Sequence, residues 1–297
     1  MAETENRPPV RVVQAHANHG VVHVDGQARK IHFPRRLARP LAGDWVHIDS
    51  QGTLEKTVPR TNSFGRGDGR GRFRAIAANI DRALIVIAPE PAPSADLLHR
   101  YLAACLIRGI KPVVVVNKND LERPAQPPFS ELEALRQLGH EIVETCCLPR
   151  PDIDALKPLA ESGTTLFSGQ SGVGKTSLLN ALVPDLDLRT SELSRVTGKG
   201  RHTTTTASAY PYHDNAWLID TPGVWEYSLW AMPLHELQRG FPEFHKAPKC
   251  RFRDCSHRSE PGCGVAAAVD SGLVAQFRHQ AWIRLLDEQN RLARSHS

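Results

Sequence analysis

Apolar and β-favouring residues gather in five short runs near the start of the chain, each bounded by polar turn residues: Val10 to Ala15, Val21 to Val24, Lys30 to Phe33, Trp45 to Ile48 and Thr53 to Val58. Asn18-His19-Gly20, Asp25-Gly26 and Ala42-Gly43-Asp44 separate them, and these residue types take the turn conformations that hairpins need. Five such strands predict a small OB-fold-like barrel over residues 1–64. The next stretch, Gly65-Arg-Gly-Asp-Gly-Arg-Gly-Arg-Phe-Arg74, reads as a flexible basic linker over 65–75.

From Ile76 the pattern becomes continuous apolar runs alternating with helical periodicity, the mark of a parallel sheet covered on both faces. Strands are predicted at Arg82 to Ala88, Pro112 to Val116, Glu141 to Thr145, Thr164 to Phe167 and Ala216 to Ile219. Helices are predicted over Ser94 to Gly109 with Ser94 as N-cap, Ser130 to Gly139, Asp152 to Ala160 and Ser177 to Leu182. This α/β domain covers 76–225. Residues 226–297 read as mainly helical, and an amphipathic helix from Gly272 to about Arg294 puts Val274, Phe277, Ala281 and Leu285 on one face.

The length, 297 residues, allows two or three domains. No apolar run approaches a membrane span, and the polar start lacks a signal peptide's apolar stretch, so a cytoplasmic protein is expected. Charge is uneven: residues 1–75 carry 13 Lys+Arg against 7 Asp+Glu, whereas residues 76–225 carry 14 against 17. The basic surplus fits a polyanion partner for the barrel or a solvated basic face. Arg29, Lys30, Arg35, Arg36 and Arg39 cluster around the third strand as candidate RNA phosphate contacts. Few aromatic residues interleave them, so base stacking finds little support.

The chemistry concentrates in Gly169-Gln170-Ser171-Gly172-Val173-Gly174-Lys175-Thr176-Ser177, a G-x-x-x-x-G-K-[ST] phosphate-binding loop between a strand and a helix. Its backbone N–H groups can cradle phosphate oxygens, Lys175 can reach the β- and γ-phosphates, and the Thr176 hydroxyl can bind magnesium. After another strand stands Asn117-Lys118-Asn119-Asp120, the Asn-Lys-x-Asp arrangement of GTPases. Asp120 can accept the N1–H and N2 amino hydrogens of guanine, which adenine does not offer. Lys118 can lay its stem along the base, and Asn117 can tie this loop to the phosphate loop. Cys146-Cys147 stands where GTPases usually have a Ser/Thr-Ala pair near the base, and these two and Cys105 read as small core residues.

Gly198 to Thr206 is polar and irregular, as a switch segment would be, with Thr204 or Thr205 as a magnesium ligand. Asp220-Thr-Pro-Gly223 is an Asp-x-x-Gly signature: Asp220 would hold magnesium through water, and the Gly223 N–H would meet the γ-phosphate. Val224-Trp225 follows in place of a water-orienting glutamine, which leaves His202 as the candidate catalytic residue. Cys250, Cys255, His257 and Cys263 form a closed Cys3His set suited to one structural zinc ion.

The Asn-Lys-x-Asp motif precedes the phosphate loop, the reverse of ordinary GTPase order, so the domain reads as circularly permuted. That order, the basic barrel, the Gly200-Arg-His-Thr-Thr-Thr205 string and the Cys-x4-Cys-x-His-x5-Cys site together resemble the RsgA (YjeQ) family of bacterial GTPases. The resemblance implies an N-terminal five-stranded OB-fold, a permuted P-loop GTPase and a C-terminal, mainly α zinc domain. It also implies binding of GTP and GDP, of the small (30S) ribosomal subunit and its 16S rRNA, and GTP hydrolysis stimulated by that subunit during its late maturation. A monomer is expected, with nucleotide state moving residues 226–297 as a unit. An ATPase or small-molecule kinase would not explain Asn117 to Asp120, and a purely RNA-binding zinc protein would not explain the central motifs.

Overall fold

The structure is a computed structural model that describes residues 8–148, 150–183, 206–223 and 226–294. Strands β1 (Val10–Ala15), β2 (His19–Val24), β3 (Gln27–His32), β4 (Trp45–Ile48) and β5 (Leu54–Thr57) pair antiparallel in the order β3-β2-β1-β4-β5. A parallel bridge between His32 and Thr53 brings the two outer strands together and closes the sheet on itself. Val12, Val22, Ile31, Val46 and Leu54 fill its interior.

Residues 65–75 depart from the predicted flexible linker. Strands β6 (Ser63–Gly67) and β7 (Phe73–Ala78) form an antiparallel hairpin. The glycines serve close backbone approach here, not flexibility: a Cβ on Gly65 would stand 2.2 Å from the Arg74 carbonyl oxygen, and one on Gly67 2.3 Å from that of Leu229. Phe64 is buried between Tyr101 and Tyr227, with ring centroids 6.4 and 6.0 Å away.

The central sheet has the order β10-β9-β8-β11-β13-β12. Its members are β8 (Arg82–Ile87), β9 (Lys111–Val116), β10 (Glu141–Glu144), β11 (Gly163–Gly169), β12 (Ser208–His213) and β13 (Ala216–Asp220). All neighbours are parallel except the edge pair β12–β13. The β12 strand was hidden in the sequence by Pro211, which an edge strand tolerates because it needs no inward N–H there. Because β11 lies between β8 and β13, the phosphate loop sits at the sheet's centre although its motif comes late in the chain.

Helices α1 (Ala95–Ile107), α2 (Leu132–Gln137), α3 (Lys157–Ala160) and α4 (Lys175–Leu182) serve this sheet. Two expectations fail locally. Ser94 makes no side-chain capping bond, and only the last turn of the helix predicted from Asp152 forms. The Asp152 backbone instead exchanges hydrogen bonds with Cys146, at 2.7 and 3.1 Å, which holds its start extended.

The C-terminal part contains α5 (Leu234–Gln238), α6 (Gly264–Asp270) and α7 (Gln276–Arg294). It shares one apolar core with the outer face of α1: Leu98, Tyr101, Trp230, Phe241, Trp282 and Leu285 belong to one buried cluster. Arg278, 0 % exposed, sits inside it. Its guanidinium donates to Glu243 at 2.5 Å, to the Gly240 carbonyl at 3.1 Å and to His99 Nδ1 at 3.2 Å. A guanidinium can only donate, so His99 accepts at Nδ1 and donates from Nε2 to Glu131 at 2.9 Å, and burial lowers the His99 pKa. No described helix is long and apolar enough to cross a membrane.

Candidate nucleotide site and metal centre

Parallel strands deliver their loops to one edge of the sheet, and the predicted motifs meet there. The phosphate loop follows β11, Asn117 follows β9, and Asp220 ends β13. Gly169, with φ of 144°, lies so close to β8 that a Cβ would stand 2.2 Å from the Val86 carbonyl oxygen. At Gly174, φ 99°, a Cβ would meet Asn117 Nδ2 at 2.3 Å. Side chains larger than hydrogen are excluded at both turns.

Asn117 is buried and ties the two loops together. Its Nδ2 donates to the Val173 carbonyl at 2.8 Å, and its Oδ1 accepts from Thr145 Oγ1 at 3.1 Å. Lys118 takes the left-handed region, φ 58°, unusual for a side-chain-bearing residue, and its Nζ donates to the Glu90 carbonyl at 2.6 Å. Asp120 is exposed. Its Oδ1 accepts a hydrogen bond from the Cys146 thiol at 2.9 Å. Cys105 is a core residue as expected, but Cys146 is only half-buried and stands at the mouth of this site. Thr145, Glu90 and Cys146 were missed by motif reasoning; only Cys146, one residue past a strand in the fifth GTPase position, carried a signal.

Lys175 reaches back over its own loop and donates to the Gly169 and Gln170 carbonyls at 3.1 and 2.9 Å. Burial lowers its pKa, opposed by Asp220. Asp220 is 3 % exposed, and burial raises its pKa to about 6, against the pull of Lys175. Its Oδ1 has no hydrogen-bond partner among the described residues. An orphaned, deeply buried carboxylate oxygen beside a phosphate loop is the coordination environment that a hard divalent cation satisfies. Thr176, the second residue of α4, is exposed in its first turn. Gly223 completes the enclosure: a Cβ there would stand 2.9 Å from Lys175 Nζ and 2.8 Å from the Ser171 Cα. Ser177 is exposed on α4. His202, Thr204 and Thr205 lie outside the described residues.

The Cys3His set converges. Ligand atoms of Cys250, Cys255, His257 and Cys263 all lie within 4.8 Å of one another. His257 Nδ1 faces the sulfurs of Cys250 and Cys263 at 3.5 and 3.7 Å. The surrounding groups orient this loop: the Gly264 N–H donates to Cys250 Sγ at 3.2 Å, and Trp282 Nε1 donates to the Ser256 carbonyl at 2.9 Å. Glu260 accepts from the Ser256 backbone at 2.7 Å and from the Ser256 hydroxyl at 2.5 Å, which lowers its pKa to about 2. Three sulfurs and one imidazole nitrogen at this separation suit a tetrahedral zinc site with every position filled by protein.

The five proposed RNA-contacting residues are all exposed. Arg29 and Lys30 are exposed on β3 and Arg35 and Arg36 in the turn after it. Arg29 faces a large cleft shared with β12. Arg39 donates to the Ala15 carbonyl and lines a smaller cleft with Arg66 and Arg74.

A nucleotide loop, a guanine-type Asn-Lys-x-Asp loop and an Asp-x-x-Gly loop on one parallel sheet, reached in permuted order, define a circularly permuted phosphate-loop GTPase. Comparison with known proteins gives the particular family. Residues 57–230 match the model of the RsgA GTPase family. The small ribosomal subunit biogenesis GTPase RsgA of Pseudomonas aeruginosa is 39% identical over 271 residues, 87% of this chain and 80% of its own. That of Haemophilus influenzae is 34% identical over 294 residues, 95% of this chain and 85% of its own. Among solved structures, YjeQ from Thermotoga maritima superposes with a TM-score of 0.71 at 27% identity, covering 96% of this chain and 99% of the other. YloQ, described as a circularly permuted GTPase, gives 0.69 at 25% identity and 98% coverage of both. The chain belongs to the RsgA GTPase family.

Proposed function

We propose that this chain hydrolyses GTP to GDP and phosphate with magnesium, on the small (30S) ribosomal subunit, during late maturation of that particle. The observation that carries the reading is the convergence of Asn117, Lys175 and Asp220 at one sheet edge within a family whose relatives are named small ribosomal subunit biogenesis GTPases. Asp120 reads the guanine edge, with Lys118 along the base. Residues 169–177 and the Gly223 N–H hold the phosphates. Thr176, Asp220 and Thr204 or Thr205 would hold a magnesium ion, which would supply positive charge to the nucleotide's phosphates. His202 orients the attacking water. The Cys3His set holds one structural zinc ion. The 16S rRNA contacts the basic barrel, and the chain works as a cytoplasmic monomer.

Cosedimentation of the full chain with purified small subunits tests the partner. Retention with a non-hydrolysable GTP analogue and release with GDP is expected; equal absence from the pellet in both states would overturn it. Single-turnover hydrolysis by His202→Ala tests the catalytic assignment. A rate and GTP affinity both equal to wild type would remove His202 from that role.

A further inference from the structure

Between the barrel and the edge of the GTPase sheet lies a cleft of about 1070 Å³, at the turn end of the β12–β13 hairpin, whose other end carries Asp220. The barrel supplies His23, Arg29 and Trp45; the β12–β13 hairpin supplies Tyr212, His213 and Trp217. The floor is Arg11, 4 % exposed, with its guanidinium 4.9 Å from the Trp45 ring centre and 5.6 Å from that of Trp217. Nη2 of Arg11 donates to Thr164 Oγ1 at 2.6 Å, while its Nε has no partner among the described residues. His23 meets Trp217 edge-on at 5.4 Å. Arg11 thus fastens the barrel to β11, and the half-exposed rings of Trp45 and Trp217 beside its guanidinium leave aromatic surface facing the cleft.

The lining also selects among ligands. Asp25, Glu55 and Asp214 stand with these rings, so the cleft is not a uniform polyphosphate groove. Carboxylates instead accept hydrogen bonds from ring and exocyclic N–H groups, aromatic faces stack on planar rings, and Arg29, exposed beside Lys30, meets the flanking phosphates. We infer that this cleft binds an unstacked nucleobase of single-stranded RNA, clasped between the barrel and the hairpin. The inference rests on the RNA partner proposed above. The site's position gives it a consequence: the clasping hairpin joins the stretch after Thr205 to Asp220, so its base lies at the nucleotide site and its tip at the RNA.

Ultraviolet crosslinking of the full chain to single-stranded decaribonucleotides, with the crosslinked peptides mapped by mass, tests it. Crosslinks within residues 208–217 or at Trp45 are expected. Tyr212→Ala and His23→Ala are each expected to weaken binding of the same oligomer about 5-fold or more, with unstimulated GTP hydrolysis unchanged as the check on folding. Wild-type binding that survives both substitutions, with crosslinks only around Arg35 and Arg36, would overturn the cleft while leaving the RNA partner intact. No RNA binding by the wild type would overturn both. A proline-rich peptide that crosslinks to the cleft in preference to RNA would also overturn it.

Discussion

Asp220 shows most directly what one residue gives up for the site. Its carboxyl, raised by burial to about 6 against an ordinary 3.8, binds a proton more tightly in the folded chain than in the unfolded one. That contribution to stability is fully present below about pH 4 and is lost as pH rises through about 6. In the cation-free, nucleotide-free protein, Asp220→Asn is therefore expected to raise stability at pH 7.5 by on the order of 2–3 kcal/mol while reducing magnesium-dependent GTP hydrolysis at least about 100-fold. Burial shifts His99 and His140 the other way, so the difference between variant and wild type is the quantity to follow by thermal melts across pH 4.5–7.5. A wild-type protein as stable as the variant throughout would remove buried charge as the explanation. At the guanine end, Cys146→Ala is expected to weaken GTP binding several-fold by freeing Asp120, at about 1 kcal/mol for one hydrogen bond. Cys146→Ser should restore it; equal affinities for all three would show that the thiol positions nothing. The ionic and phosphate-facing residues were legible in the sequence because their spacing is dictated by a ligand. Thr145 was not, and Cys146 was legible only by its place in the chain, because the bonds they make come from the loop that packs beside them.

At the scale of elements, apolar runs located the strands well: β1 and β4 fall on short β-favouring runs bounded by turn residues, and continuous apolar runs mark β8, β9 and β11. The hairpin of β6 and β7 escaped because glycine and arginine read locally as disorder, and the partners that bury it lie far along the chain. The Gly67 N–H donates to the Ser228 carbonyl at 2.8 Å, and Tyr227 donates to the Gly65 carbonyl. Gly67→Ala is consequently expected to destabilise the protein by about 1–3 kcal/mol through its clash with the Leu229 backbone, whereas Gly69→Ala, with open space around it, should be near neutral. Denaturant melts of the two variants give the comparison; equal stabilities would return the segment to a linker. The zinc-type loop and α7 form a second unit of this kind. Loss of stability and of the α7 packing on chelation, with one zinc ion released per chain, is expected because the four ligands have no other reason to converge.

For the molecule as a whole, the packing of the C-terminal part bears on whether residues 226–297 move with nucleotide state. The core shared with α1 and the buried Arg278, which links Glu243 and Gly240 to His99 of the GTPase domain, fasten that part to the sheet. Arg278→Ala would leave Glu243 unpaired in this core and is expected to cost about 3–5 kcal/mol, seen as a lowered midpoint of chemical unfolding. Distance labels between α1 and α7 should accordingly report the same separation with GTP analogue and with GDP. The circular permutation of the GTPase domain was readable from motif order alone, but this attachment was not: it depends on residues that carry no motif and meet only in three dimensions.

The claim on which the whole account turns is that the permuted GTPase answers to the small ribosomal subunit. The most direct measurement is steady-state GTP hydrolysis by the full chain with and without purified small subunits, with large subunits as the control. Hydrolysis is expected to be slow alone and to rise at least about 10-fold with small subunits only, since closing a water-excluding site commonly gates such reactions. An unchanged rate with small subunits, in a protein that still binds GTP, would contradict it.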